Sequence, residues 1–312
     1  MNELDLLQLL TRSLPANESV VVGAGDDCAV LDLKIPGQWL LFKTDAVVEG
    51  VHFTRADPPE KIGHKALARC LSDIAAMAGT PTAALITLGL PRDFDPKFIE
   101  RIYEGMNALA RRYQVAIAGG ETTTNPERIL ISVVLVGTVA KNKCLLRTGS
   151  QAGDAIFVSG ELGGSLAGKH LDIEPRLTEA QWLADHVAVH SMIDISDGLA
   201  SDLRHLLHDG RVGAELLSKA IPISRAARLQ AKAESSRKPP LLAALTDGED
   251  FELLFTVASK DAVAVLDGWK SKFPALRLTC IGKITAEPGL RIRDKTGVQP
   301  VAAHGYIHFQ KS

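Results

Sequence analysis

Apolar positions along the 312-residue chain fall into two kinds of pattern. Short runs rich in Val, Ile and Leu, among them SVVV, WLLFKTD, AALITLGL, QVAIAGG and ILISVVLVGTV, predict strands. Two stretches between them carry helical spacing. The first follows DPPEKIG, where Asp57 is placed to cap, Pro58 suits a first helical turn and Gly79 ends the element. The second covers Pro96 to Arg112. After a break near AKNKCLLRTGSQAGD the alternation resumes, with AIFVSG, MIDIS and FELLFTV as strands and GELGGSLAGK and DGLASDLRHLLHDG as helices. The polar, Pro-ended AKAESSRKPP reads as an exposed connector. This order predicts an α/β chain of the α+β type, with mixed sheets flanked by helices. The length predicts two domains, residues 1–140 and 141–312.

Composition narrows the field without adding chemistry. Hydrophobic residues make up 46% and charged residues 23%, ordinary values for a soluble globular protein. A net charge of -2 gives no support for a nucleic-acid or membrane-surface partner. No apolar run approaches the roughly 20 residues of a membrane-spanning helix. The N-terminal MNELDLLQLL carries acids where a signal peptide would carry Lys or Arg, so a cytoplasmic location is expected. Cys28, Cys70, Cys144 and Cys280 form no C-x-x-C pair, which indicates neither a zinc site nor a disulfide scaffold.

The candidate chemistry lies in the acids. GAGDDCAV sets Asp26 and Asp27 side by side behind glycines, which a simple turn would also explain. In HKALARCLSDIAAMAG, helical spacing puts Asp73 on one face with Ala66, Cys70 and Met77, beside the apolar stripe of Leu67, Leu71, Ile74 and Ala78. A carboxylate on so buried a helix needs a cation or several donors, and Arg69, four residues earlier, is a local candidate. Asp45 closes the strand LLFKTD, and Glu121 follows two glycines at the end of another strand. MIDISDGLASDL ends a strand with Asp194 and starts a helix near Ser196 and Asp197, as an N-cap or as a cation or phosphate site. LTDGEDFELLF adds Asp247, Glu249 and Asp250. Magnesium takes oxygen ligands and binds through a few carboxylates plus substrate phosphates, so acids gathered at strand ends point to phosphoryl transfer on a polyphosphate. The usual nucleotide motifs are missing: there is no G-x-x-x-x-G-K-[ST], and GELGGSLAGKH continues with His170 after Lys169. A G-x-G-x-x-G after a strand, a kinase H-R-D or D-F-G set and a G-x-S-x-G elbow are missing too.

Seven segments in this order, GAGDDCAV, TDAVVEGVHF, KALARCLSDIAAMAGTP, AGGETTT, LRTGSQAGDAIFVSG, IDISDGLASDL and DGEDFEL, resemble the thiamine-monophosphate kinases. These belong to the superfamily of aminoimidazole-ribonucleotide synthetase, selenophosphate synthetase and the hydrogenase-maturation dehydratase. The likeness runs from about Asp5 to the closing HGYIHF. It implies the two-domain synthetase-superfamily fold, a homodimer paired through its N-terminal domains, and a nucleotide in a cleft between domains. It implies ATP-dependent phosphorylation of thiamine monophosphate to thiamine diphosphate with several Mg2+ ions. Carried over, Asp27, Asp45, Asp73, Glu121, Asp194 and Asp197 would ligate magnesium, with oxygens of Lys43 and Thr44 beside Asp45. Gly120, Glu121, Arg147, Ser196 and Tyr103 would contact ATP. His52, Glu249 and Tyr306 would contact the thiamine substrate, and no covalent nucleophile is implied. Three features depart from the family: Glu121 stands where Asp is usual, the segment GKHLDIEPRL is abbreviated, and Asp247 opens a loop that usually reads GGED. The competing expectations are another ATP-dependent enzyme of the superfamily and a catalytically weak nucleotide-binding protein on the same scaffold. No Cys precedes GAGDD as in selenophosphate synthetase, and no Cys ends the chain as in the hydrogenase-maturation protein.

Overall fold

The computed structural model describes residues 3–207, 210–233, 238–302 and 305–306. It has a mixed α/β architecture divided into two compact units, one comprising Glu18–Cys144 with His170–Leu177 and the other the rest of the chain. A short helix, α1 (Glu3–Thr11), opens the chain and belongs to the second unit.

The first unit is built on a six-stranded sheet. Its strands are β1 (Val20–Val22), β2 (Ala29–Leu31), β3 (Gln38–Val48), β4 (Thr80–Leu90), β5 (Ala116–Thr124) and β6 (Leu130–Ala140), in the order β1-β2-β3-β6-β4-β5. Only β4 and β5 run parallel, and between them comes α3 (Pro96–Arg112), as a parallel connection requires. Strand β6 appears where its apolar run predicts, and burial alternates along it: Ile131, Val133, Leu135 and Val139 are buried and their neighbours only partly so. Against the sheet lies α2 (Pro59–Ala76), buried along almost its whole length. Helix α3 starts where its sequence predicts, with the Asp95 side chain accepting from Lys97 N.

The start and end of α2 differ from expectation. Asp57 does not cap it; its carboxylate accepts from Thr54 N at 2.7 Å and closes the preceding turn. The helix begins at Pro59, whose missing N–H is one that needs no cap, and Pro58 stands before it at the cap position. At the other end the left-handed residue is Ala78 (φ 56°), not Gly79. Gly79 N then reaches back to Ile74 O at 2.9 Å, and a Cβ on Gly79 would lie 2.4 Å from Leu41. That glycine answers a packing constraint.

The second unit has a seven-stranded sheet. Its elements are β7 (Ala155–Ser159), α4 (Leu177–His186), β8 (Val189–Asp194), α5 (Leu199–His205), β9 (Gly213–Leu217), α6 (Arg225–Gln230), α7 (Pro240–Thr246), β10 (Leu253–Val257), α8 (Ala262–Lys272), β11 (Leu278–Thr285), β12 (Gly289–Asp294) and β13 (Gly297–Pro300). The strand order is β13-β12-β9-β11-β7-β10-β8, and only β9 and β12 pair in parallel. Every residue of β7 and β10 is buried, Ser159 and Thr256 included, which explains their largely apolar sequence. Phe157 and Phe255 sit in register on these strands and stack with centroids 5.5 Å apart. The stretch GELGGSLAGK is not the expected helix but two single 3-10 turns, Ser165–Ala167 and Lys169–Leu171. Gly163, Gly164 and Gly168 take φ of 82°, 72° and 131°, which no helix accommodates. Of the expected connector AKAESSRKPP, residues 234–237 lie outside the described residues. No helix among the described residues is long and apolar enough to cross a membrane.

The α2–α3 crossing depends on two glycines. A Cβ on Gly63 would lie 1.8 Å from Ile102 O, and one on Gly105 1.8 Å from Glu60 O. Gly63→Ala must therefore force the helices apart, and overpacking of this kind costs about 3 kcal/mol. The expected result is a lower urea midpoint at unchanged slope. An unchanged midpoint would show that the crossing opens freely.

Candidate active site

In the first unit the acids meet on one side of α2. Alternation along β3 puts Lys43 and Asp45 on the same face of the sheet, and helical spacing puts Arg69 and Asp73 on one face of α2. The four side chains pair crosswise. Lys43 Nζ lies 2.7 Å from Asp73, and Arg69 Nε lies 2.9 Å from Asp45, with a second guanidinium bond at 3.2 Å. Arg69, which the sequence offered as a local partner for Asp73, reaches across to the strand and takes Asp45. Asp45 is also not at a strand end: β3 continues through it to Val48. Strand β2 covers β3 only as far as Phe42, so from Lys43 onward no strand among the described residues pairs with that edge. The backbone oxygens of Lys43 and Thr44 belong to this uncovered stretch.

Asp27 completes the group. It is 2% exposed, and one of its carboxylate oxygens lies within 4.8 Å of one from the buried Asp73. Its partner in the doublet, Asp26, turns a carboxylate back onto Asp27 N at 2.9 Å. Asp26 shapes the turn, and Asp27 enters the site. Burial disfavours the charge on Lys43, yet Asp73 and Asp45 outweigh it and hold the ammonium pKa above its ordinary value. Burial likewise works against Asp45, and Arg69 and Lys43 overcome it to hold that carboxyl below the usual range. Cys28 and Cys70 are pushed up by burial and then by nearby carboxylates, which keeps both as neutral thiols. Three carboxylates thus face two cationic side chains. Two buried carboxylates this close offer the oxygen ligands that a hard divalent cation such as magnesium takes.

His52 lies just beyond β3. Its Nδ1 accepts from Val48 N at 3.1 Å, so the neutral ring carries its proton on Nε2. Tyr103 is half-buried on α3, and burial raises its phenol pKa. Gly120 and Glu121 lie inside β5, which runs on to Thr124, not at a strand end as expected. The register with β4 slips at Ala118, and a Cβ on Gly120 would lie 1.7 Å from Ile86 O. That glycine is set by strand packing, while Glu121 is exposed opposite Thr87.

In the second unit three loops converge. Asp194 ends β8, buried at 2% exposure. Ser196 O accepts from Glu249 N at 2.6 Å, and Asp197 O accepts from Tyr306 N at 2.8 Å. Ser196, Asp197, Glu249 and Tyr306 are therefore brought together, with Glu249 and Phe251 in the left-handed region at φ 54° and 50°. The expected Ser/Asp cap is replaced by Gly198 at the cap position (φ 113°) and Asp202 one turn later. Asp202 accepts from Asp197 N at 3.1 Å and Gly198 N at 3.0 Å. Burial raises the Asp202 carboxyl well above its ordinary range, and the Asp197 and Asp194 charges add to this. Arg147 is half-buried, and its charge works the other way on Asp202.

Asp247 and Asp250 turn away from this group. Asp250 accepts from Gly163 N at 3.0 and 2.9 Å and from Ser165 Oγ, and Asp247 accepts from Gly164 N at 2.7 Å. Burial pushes Asp250 up to about 6 despite Lys169 and these donors. Lys169, in the near match to a P-loop, bonds the buried Glu252 at 3.0 Å. Sequence reading missed the buried Lys65 and Asp202, and it did not foresee that Arg69 would pair with Asp45. A lysine inside an apolar helix and an acid one turn after Asp197 were the available signals.

Two family models match the chain: the AIR synthase related protein N-terminal domain over residues 25–139 and the C-terminal domain over residues 145–295. The chain is 42% identical to the thiamine-monophosphate kinase of Rhodopirellula baltica, over 96% of this chain and 93% of that one. It is 35% identical to that of Aquifex aeolicus, over 99% and 98%. Among solved structures, AaThiL complexed with AMPPCP and TMP superimposes with a TM-score of 0.83 at 31% identity, over 99% of this chain and 97% of that one. Escherichia coli HypE, at 21% identity and a TM-score of 0.73 over 96% of each chain, shares the fold. By identity, coverage and fold alike, the chain belongs to the thiamine-monophosphate kinase family.

Proposed function

We propose that the protein transfers the terminal phosphoryl group of ATP directly to the phosphate of thiamine monophosphate, giving thiamine diphosphate and ADP. The observation that carries this reading is the pair of buried carboxylates, Asp27 and Asp73, set within 4.8 Å of each other beside Lys43. A similar protein that binds both AMPPCP and TMP supports the choice of substrates.

In this reading a phosphate oxygen of the acceptor attacks the terminal phosphorus of ATP in line, one P–O bond forming as the bond to ADP breaks. The acceptor oxygen is already anionic at neutral pH, so no side chain has to remove a proton first. Asp27, Asp45 and Asp73, with oxygens of Lys43 and Thr44, hold magnesium in the first unit, and Glu121 serves the ATP side. Asp194 and Asp197 hold it in the second. Bound magnesium supplies positive charge that neutralises the phosphates during transfer. Arg69 fixes the rotamer of Asp45, and Lys43 anchors the Asp73 carboxylate through its ion pair. Gly120, Arg147, Ser196 and Tyr103 contact ATP, while His52, Glu249 and Tyr306 contact the thiamine substrate. Positioning and charge, with no covalent enzyme intermediate, account for the rate. The same reading takes the chain as a homodimer, which the exposed edge strand β5 would suit.

Asp73→Asn removes the charge and keeps the shape. It should lower kcat/KM by about 100-fold or more and raise the magnesium requirement. Wild-type turnover at limiting magnesium would reduce Asp73 to a structural partner of Lys43. Magnesium with AMPPCP should raise the melting temperature, since ligands at about 100 times Kd add ~2.7 kcal/mol to the native state. A flat melting curve at saturating concentrations of both would sink the nucleotide reading. Glu121→Asp should keep activity within a modest factor, because it keeps the charge. Glu121→Gln should shift the magnesium titration to higher concentration, and an unshifted titration would show that this exposed acid serves no metal.

A further inference from the structure

Lys65 is completely buried on α2, yet neither the acids nor the proposed phosphate chemistry accounts for it. Its Nζ donates to the His52 carbonyl at 2.7 Å and lies 2.8 Å from His170 Nδ1. An ammonium has no lone pair, so His170 Nδ1 accepts there. Burying an ammonium costs several kcal/mol, which an apolar side chain of similar length would avoid. The charge is retained for what it holds.

Both things it holds are themselves fixed. On the His52 side, the ring Nδ1 accepts from Val48 N at 3.1 Å and His52 N donates to Val48 O at 2.9 Å. Glu49, three residues earlier, is anchored by Arg55 at 2.7 Å and by Ile129 N at 2.9 Å. On the other side, His170 begins the part of the abbreviated segment, residues 170–177, that belongs to the same unit and bonds to α2 and the end of α3. Lys61, His64 and Lys65 occupy one face of α2 and take Asp172, the Ile173 carbonyl and His170 in turn, at 2.6, 2.6 and 2.8 Å. Glu174 is gripped by Tyr113 Oη at 2.8 Å and by Arg112. The segment is a strap buckled onto the helices, and Lys65 is the buckle that reaches through to the His52 carbonyl.

We propose that Lys65 is a positioning residue for the phosphate acceptor: it ties the His52 main chain to the His170 ring and so sets where the His52 imidazole meets the thiamine substrate. The proposal rests on the reading of His52 as a substrate contact, and it adds a part for the strap in acceptor specificity.

Steady-state kinetics on the full chain test it. Lys65→Met should raise KM for thiamine monophosphate about ten-fold while KM for ATP stays within about two-fold. His170→Leu, which leaves the lysine in place, should give a smaller rise in the same constant. Combining Lys65→Met with His52→Ala should be no worse than His52→Ala alone, because both act through one contact. If Lys65→Met does not fold by circular dichroism, Lys65→Gln and His170→Leu carry the same cycle with His52→Ala. Additive effects, or equal changes in both Michaelis constants, overturn the positioning role. A raised acceptor KM in His52→Ala with wild-type constants in the Lys65 and His170 variants also rejects it, leaving the His52 contact standing. An unchanged acceptor KM in His52→Ala rejects that contact, and the proposal falls with it.

Discussion

Lys43 and Asp73 are held 2.7 Å apart between a strand and a buried helix, and the first unit is arranged so that neither loses the other. An unpaired charge in that interior would cost several kcal/mol. Three polar residues of α2 are each directed at a fixed point: Arg69 at Asp45, Asp73 at Lys43 and Lys65 at a backbone carbonyl. Those demands set the register of the helix against β3. A slip of one residue in β3 would turn Lys43 and Asp45 to the opposite face and strand both partners. The glycine crossing of α2 and α3 enforces the same placement from the other side of the helix.

The two units treat their acids differently. In the first, Arg69 and Lys43 overcome burial and keep Asp45 ionised. In the second, Asp202 has acids for near neighbours, and burial combines with them to favour its protonated form. Backbone N–H groups from Asp197 and Gly198 are what hold it in place. A site whose charges are balanced by side chains is set before any ligand arrives. One whose acids crowd each other changes its charge state most readily when a cation comes near.

Periodicity made most of the fold legible. The strand runs and the helix at Pro96–Arg112 appear where the apolar spacing puts them, since each buries one face or both. The failures have local causes. Asp45 and Glu121 seemed to end strands because an acid normally interrupts a buried run, but one edge of β3 is uncovered there and β5 is the exposed border of its sheet. Asp57 was spaced like a cap but answers Thr54 instead. The motifs picked out Asp27 and Asp73 in the first unit and Asp194 and Asp197 in the second as candidates, because adjacent acids and acids on apolar faces stand out from their surroundings. They could not give the partners. Nothing in the order of residues says that Arg69 turns to a strand 24 positions earlier, or that Lys65 meets a histidine 105 positions later.

The glycine turn at Gly163–Gly164 carries a lesson about phosphate loops. Successive backbone amides of this kind form a concave cradle for anions. Here the anions are already covalently supplied: Asp250 and Asp247 bond the two amides from positions 87 and 83 residues along the chain. The cradle is self-occupied, and a nucleotide phosphate would have to evict a tethered carboxylate whose effective concentration no free ligand matches. A glycine-rich segment followed by a lysine can therefore have all the outward marks of a phosphate grip and be closed to phosphate, with the decisive residues lying far outside the segment.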